Sequence, residues 1–262
     1  MHRPANTIEV WLARPAQVAE GQWPICEALL DPLERERALR LRLRADRDSW
    51  VLAHALRRLV LGNWLDLPPA ALRLVDRPGV KPVLLAPARH GLHFSHSRRR
   101  QLVAFAVTRL APVGIDVEEI RPQSADFALL ARHMVVTELE MSAAASGERA
   151  RSFFACWTAL EAFWKAQGTG LATGNPRLRC RRNTDGPREI SLEPSGLRAA
   201  RWWPIASRDD HAVALALMDS HAGGVAPGEV ALTLRDGNQL IGPAGMALRS
   251  YDGPAQADRG LR

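Results

Sequence analysis

Lysine is almost missing from this chain. Of 35 Lys plus Arg residues only Lys81 and Lys165 are lysines; every other fixed cation is arginine. Cysteine is scarce as well: Cys26, Cys156 and Cys180 are an odd number at wide spacing. They make neither a disulfide framework nor a close-spaced zinc site, and they fit a reducing compartment. No run of about 18 apolar residues occurs, so no membrane span is expected. The opening residues, MHRPANTIEVWLARPAQ, lack the basic-then-apolar pattern of a secretory signal. A soluble, cytoplasmic protein is the expectation.

What is present sets further bounds. The 262 residues, 47% hydrophobic and 24% charged, suffice for one large domain or two of about 130 residues. A net charge of +7 fits a polyanionic partner, whether nucleic acid, an acidic protein or a phosphorylated small molecule. Arginine serves wherever a generic positive charge is enough, which makes the two ammonium groups informative. An ammonium is a compact point charge for a phosphate, whereas guanidinium is a wide planar fork that a tight site excludes.

Periodicity predicts a strand at EVWLAR (9–14), then a long helical region from Asp31-Pro32 through residue 65 with a break near 45–48. Asp31 suits an N-cap, with Pro32 at the first helical position. Short strands follow at 72–75, 92–97, 102–107 and 114–120, with a turn at RPGVKP between the first two. A helix over roughly 150–167 comes next, then strands at 177–182, 189–193 and 211–218. Strand, helical region and strands thus occur twice, about 110 residues apart, which predicts an α+β protein of two pseudo-duplicated halves, 1–111 and 112–218. Residues 219–262 read as an extension rich in Gly, Pro and Ala, with a hairpin at VALTLRDGNQLIG turning on Asp236-Gly237 and a disordered end.

Four segments carry chemistry. In GIDVEEI, Asp116 and Glu118 are two apart in an extended segment and so share a face. Paired carboxylates repel unless a cation lies between them, and oxygen-only ligation suits Mg²⁺; the plain alternative is an exposed acidic strand end. In FFACWTALEAFWKAQGTGL, Phe153, Trp157, Leu160 and Trp164 form one stripe, while Glu161 and Lys165 lie along its edge, four apart. The alternative there is a surface ion pair worth about 0.3–0.5 kcal/mol. The glycines of GTG end that helix. HFSHS brings Ser95, His96 and Ser97 together; adjacent residues of a strand point to opposite sides, so a catalytic Ser–His pair is disfavoured and a phosphate contact or a polar turn remains. PGVKP holds Lys81 between two prolines.

In this order, G-x-K-P, S-H-S, G-I-D-x-E and W-T-x-x-E-A-x-x-K-x-x-G-x-G-L, the sequence resembles the Sfp-type 4′-phosphopantetheinyl transferases from about residue 8 to 218. The resemblance implies two similar α+β halves around a cleft that takes coenzyme A and Mg²⁺. It implies that Asp116, Glu118 and Glu161 ligate Mg²⁺ and that Lys165 holds the pyrophosphate. Lys81, Ser95 and His96 would grip the 3′-phosphate side of coenzyme A, with Arg37, Arg40, Arg44 and Arg47 as further candidates against the alternative of a solvated basic helix. The implied reaction moves the 4′-phosphopantetheine arm onto a serine of an acidic acyl or peptidyl carrier protein and releases 3′,5′-ADP. Glu161 is then also the candidate base, directly or through water. The carriers of such enzymes belong to fatty-acid, polyketide and nonribosomal-peptide synthesis. A monomer is expected, with neither a nucleic-acid nor a membrane partner.

Three residues depart from the family pattern. Leu160 stands where W-[S/T]-x-K-E has lysine, which implies one cation fewer near the pyrophosphate. His93 replaces the Asn of N-x-S-H-S, and Val135 or Val136 replaces a Phe before the last helix. The alternatives are a weak or catalytically dead relative that still binds coenzyme A, and a basic nucleic-acid-binding protein, for which no motif is found.

Overall fold

The structure, a computed structural model, describes residues 6–77, 79–88, 90–122, 126–135, 146–170, 176–181, 188–193, 195, 198–205, 210–219 and 230–241. The expected disorder at the end of the chain, and Val136, lie outside these residues.

Chain order in the first half is β1 (Thr7–Ala13), α1 (Trp23–Leu29), α2 (Pro32–Leu39), α3 (Arg44–Leu65), β2 (Arg73–Val75), β3 (Val83–Ala86), β4 (His93–Arg98) and β5 (Val103–Thr108). The second half runs β6 (Val113–Glu119), α4 (Phe127–His133), β7 (Met134–Val135), α5 (Ser146–Gln167), β8 (Leu178–Arg181), β9 (Arg188–Leu192), β10 (Arg198–Pro204) and β11 (His211–Met218). Strand β12 (Ala231–Asp236) and helix α6 (Gly237–Ile241) follow. A four-stranded sheet in the order β12-β1-β5-β4 and a six-stranded sheet in the order β6-β11-β10-β9-β8-β7 form the two halves, with β2 and β3 as a separate pair. The α+β expectation holds.

Three apolar clusters explain the layering. One joins α3 to one face of the first sheet through Leu52, Leu56, Leu59, Val103, Phe105 and Val107. Another joins α5 to the second sheet through Ala162, Phe163, Trp202, Ala214 and Ala216. The third lies between the sheets: Ile8, Val10, Ala104 and Ala106 meet Val113, Ile115, Val117 and Leu215. Strand β5 is therefore buried on both faces, and its VAFAVT shows no polar alternation. Each half is a sheet with one long helix outside, and the halves share an apolar seam.

Asp31 caps α2 as expected. Its Oδ1 accepts from Glu34 N at 2.8 Å, while Glu34 Oε2 accepts from Asp31 N at 2.9 Å. The break before α3 falls at residues 40–43, slightly earlier than expected.

The extension departs from the sequence reading. Asp236-Gly237 makes no hairpin: β12 pairs in parallel with β1, Thr7 opposite Ala231 through Leu12 opposite Asp236, and Gly237 begins α6. The edge of β1 was open, and a strand from far along the chain fills it. Asn238 then clips the junction, accepting from Arg14 N at 2.8 Å and donating to Arg14 O at 2.9 Å. Residues 231–236 thus belong to the first sheet, and Leu240 and Ile241 of α6 join its apolar cluster.

Gly114 sets how close α5 comes to β6. A Cβ there would lie 1.9 Å from Ala162 O and 2.5 Å from Ala166 N, both backbone atoms that cannot rotate away. We predict that Gly114→Ala lowers unfolding free energy by about 3 kcal/mol in urea denaturation, the upper part of the overpacking range. A loss below about 1 kcal/mol would show that the helix has room to retreat.

Candidate functional site

Edge strands β4 and β6 run beside each other where the two sheets meet. Ser95 Oγ accepts from Ile115 N at 3.2 Å, so a side chain takes over a backbone bond across the joint. Two positions on, Ser97 Oγ donates to Asp116 Oδ1 at 2.9 Å. Period two puts Ser95 and Ser97 on this side of β4 and His96 on the other, beside His54 of α3 with ring centroids 5.7 Å apart. The Ser–His adjacency is not a catalytic pair.

A cleft of about 390 Å³ opens at this joint, lined among others by Trp50, His54, Asp76, Lys81, Ser95, His96, Glu161, Trp164 and Lys165. Helix α5 presents Glu161 and Lys165 on the margin of its buried Phe153, Leu160 and Trp164 stripe, the arrangement its spacing predicts. Lys165 pairs with Asp116 rather than with Glu161. Its Nζ donates to Asp116 Oδ1 at 2.6 Å and to Ser97 Oγ at 3.0 Å. The surface-pair alternative therefore fails. Asp116 is buried, and its Oδ2 has no hydrogen-bond partner.

Burial pushes the Glu161 carboxyl up to about 7, and the Asp116 carboxylate adds to the rise while Lys165 opposes it. Glu118, on the same strand face as Asp116, is held by Arg99, whose Nε lies 2.6 Å from Oε2 and whose second nitrogen bonds Oε1. The three expected ligands converge, but as they stand their oxygens do not form a close triad. Among the described residues the close group of potential ligand atoms is Glu34, His54 and Asp76, within 4.8 Å of one another. Arg57 occupies that group: it binds both Asp76 oxygens at 2.8 Å and also bonds Glu34. A fully buried guanidinium already supplies the cation there.

In the loop between β2 and β3, Lys81 Nζ donates to Val113 O at 2.8 Å, and burial lowers its pKa to about 8. Burial and the Arg57 cation hold His96 well below 6.5, so it is a neutral imidazole, with a buried Nδ1 that has no partner. Of the four arginines named from sequence, Arg37 lines the cleft. Arg47 does not. It pairs with Glu27 of α1 at 2.9 Å, while Arg40 pairs with Glu36 and Arg44 with Asp48. Leu160 is fully buried in the apolar cluster under α5, so in this chain that position fills core.

Sequence reasoning missed Trp50, His54, Asp76 and Arg77 as cleft residues. The available signal was Arg57-Arg58 inside the mostly apolar run VLAHALRRLVLG (51–62). Two buried arginines require acidic partners, and these are Glu34, Asp76 and Asp31. A second cavity is walled by Arg98, Arg99, Arg100, Arg121 and Phe154 together with Asp46, Glu118 and Glu119.

Lys81 gives a test by pH. Its folded value near 8 lies below the ordinary 10.5, so the folded chain loses this proton before the unfolded chain does. Stability from this group rises between about pH 8 and 10.5 and is absent below about 8. Comparing wild type with Lys81→Met in denaturant, we expect the balance to move toward wild type by up to about 3 kcal/mol over that window. A pH-independent difference would show that Lys81 is not desolvated.

The description "4'-phosphopantetheinyl transferase superfamily" belongs to the family model that matches residues 112–216, the half that carries Asp116, Glu118, Glu161 and Lys165. The 4′-phosphopantetheinyl transferase HetI of Nostoc sp. (strain PCC 7120) is 29% identical over 217 residues, 80% of this chain and 86% of that protein. Sfp of Bacillus subtilis (strain 168) is 28% identical over 189 residues, 71% of this chain and 80% of its own. The Bacillus pumilus transferase psf-1 is 31% identical over 160 residues, covering 61% and 66%. No helix among the described residues is long and apolar enough to cross a membrane. Four motifs meeting at one joint, a matching family model and relatives of one description agree that this chain belongs to the 4′-phosphopantetheinyl transferase superfamily.

Proposed function

We propose that this transferase moves the 4′-phosphopantetheine arm of coenzyme A onto a serine of an acyl or peptidyl carrier protein and releases 3′,5′-ADP. One observation carries the reading. Both lysines of an arginine-rich chain line the same cleft, beside Ser95, His96 and the carboxylate of Glu161. That arrangement supports an anionic ligand with several phosphates.

In this reading Lys81, Ser95 and His96 bind the 3′-phosphate side of coenzyme A, and Arg37 lies along the same wall. Lys165 holds the pyrophosphate. The donor set at Asp116, Glu118 and Glu161 fits a hard divalent cation: three carboxylates, one with an unpartnered buried oxygen and one pushed up to about 7 partly by its neighbour's charge. Mg²⁺ held there would neutralise pyrophosphate charge. The serine hydroxyl attacks the β-phosphorus, the bond to the 3′,5′-ADP oxygen breaks, and the hydroxyl proton passes to Glu161 directly or through water. Catalysis is then mainly positioning and charge neutralisation. The net charge of +7 supports an acidic acceptor.

The test incubates the protein with coenzyme A, Mg²⁺ and apo carrier domains of fatty-acid, polyketide and peptide type, read by mass spectrometry. A gain of one phosphopantetheine is expected with at least one carrier. Asp116→Asn and Glu161→Gln should reduce it at least 100-fold, the usual scale for losing a charge-stabilising or proton-transfer group. No gain with any carrier, despite coenzyme A binding, would favour a binding-only relative.

A further inference from the structure

Arg99 occupies an unusual position among three consecutive arginines. The turn between β4 and β5 is closed by Arg99 N to Leu102 O at 2.8 Å and Leu102 N to Arg99 O at 3.3 Å, which fixes the backbone of Arg99. Arg98 turns toward α3, donating to Ser49 Oγ at 2.9 Å, and Arg100 binds Asp46 at 2.7 Å. Of the three, only Arg99 faces the carboxylates. It engages both oxygens of Glu118, and Asp116 and Glu161 also stabilise its charge.

The two strand carboxylates are therefore satisfied differently. Asp116 spends one oxygen on Lys165 and Ser97 and keeps Oδ2 unpartnered, so it can accept a cation without losing either contact. Arg99 already engages both oxygens of Glu118. Its side chain is 14% exposed, so the pair is partly shielded, whereas Arg99 is 46% exposed and has room to swing outward from a fixed turn. Charge-assisted bidentate pairs are among the stronger polar contacts, so this one opposes any competing cation.

We infer that Arg99 is a resident counter-ion of the carboxylate cluster that competes with a divalent cation for Glu118, so that full ligation requires the Arg99–Glu118 pair to open. The inference rests on the reading of Glu118 as a metal ligand. On it, the divalent-ion requirement of this chain is set by an arginine outside the ligand set. Once displaced, that arginine stands at the rim of the arginine-walled cavity.

The experiment measures Mn²⁺ binding by calorimetry without coenzyme A or carrier, so it does not depend on turnover. Arg99→Ala should tighten Mn²⁺ binding about tenfold relative to wild type, the scale of one charge-assisted pair. Arg100→Ala removes the same charge from the same turn but leaves Glu118 paired, and should stay within about twofold. Glu118→Gln should weaken binding and cancel the gain in the Arg99→Ala background. Unchanged or weaker binding in Arg99→Ala, or an equal gain in Arg100→Ala, overturns the competition while leaving the proposed reaction standing. If Glu118→Gln changes nothing in either background, Glu118 is not a ligand, and the metal-site reading falls with the inference.

Discussion

The 2.6 Å contact between Lys165 and Asp116 holds the rest of the site in place. It joins the helix of the second half to its first strand, and through Ser97 it reaches the edge strand of the other half. A buried carboxylate stripped of its cation costs several kcal/mol, so neither partner can be removed without exposing the other. The geometry also accounts for the residue type. The ammonium fits between a strand and a helix brought together by Gly114, where an ammonium is compact and a planar fork is wide.

A second buried ion network supports the opposite wall. Arg57 grips Asp76 with two bonds, and Asp76 stands five residues before Lys81 on the loop between β2 and β3. Burial alone would raise the Asp76 carboxyl, but the His54 ring 3.4 Å away and two hydrogen bonds from Arg57 hold it well below the usual range. Arg58 ties the same system to Glu34 and Asp31 and to the carbonyl of Leu72. The capping box of α2 is thus part of the anchor for the loop that carries Lys81. A local helix signal and a distant loop share the same carboxylates.

Much of the site was legible because its chemistry is local in sequence. Asp116 and Glu118 on one strand face, and Glu161 and Lys165 on one helix edge, follow from periods of 2 and 3.6. What stayed hidden depended on tertiary partners. Periodicity cannot say that Lys165 prefers Asp116 to Glu161 or that Arg47 pairs with Glu27. The pairing of β12 with β1 was out of reach for the same reason, because Asp-Gly is a local turn signal and a parallel partner about 220 residues away is not.

That pairing bears on how the molecule is made. The first sheet contains the beginning of the chain, yet its outer strand is synthesised only after every strand of the second half. A nascent first half therefore emerges with β1 as a bare edge, and bare edges invite pairing with other chains. Cutting between residues 111 and 112 would leave that edge bare permanently. Each half sets a sheet against one long helix, but the earlier one reaches its full width only when the later one is already complete.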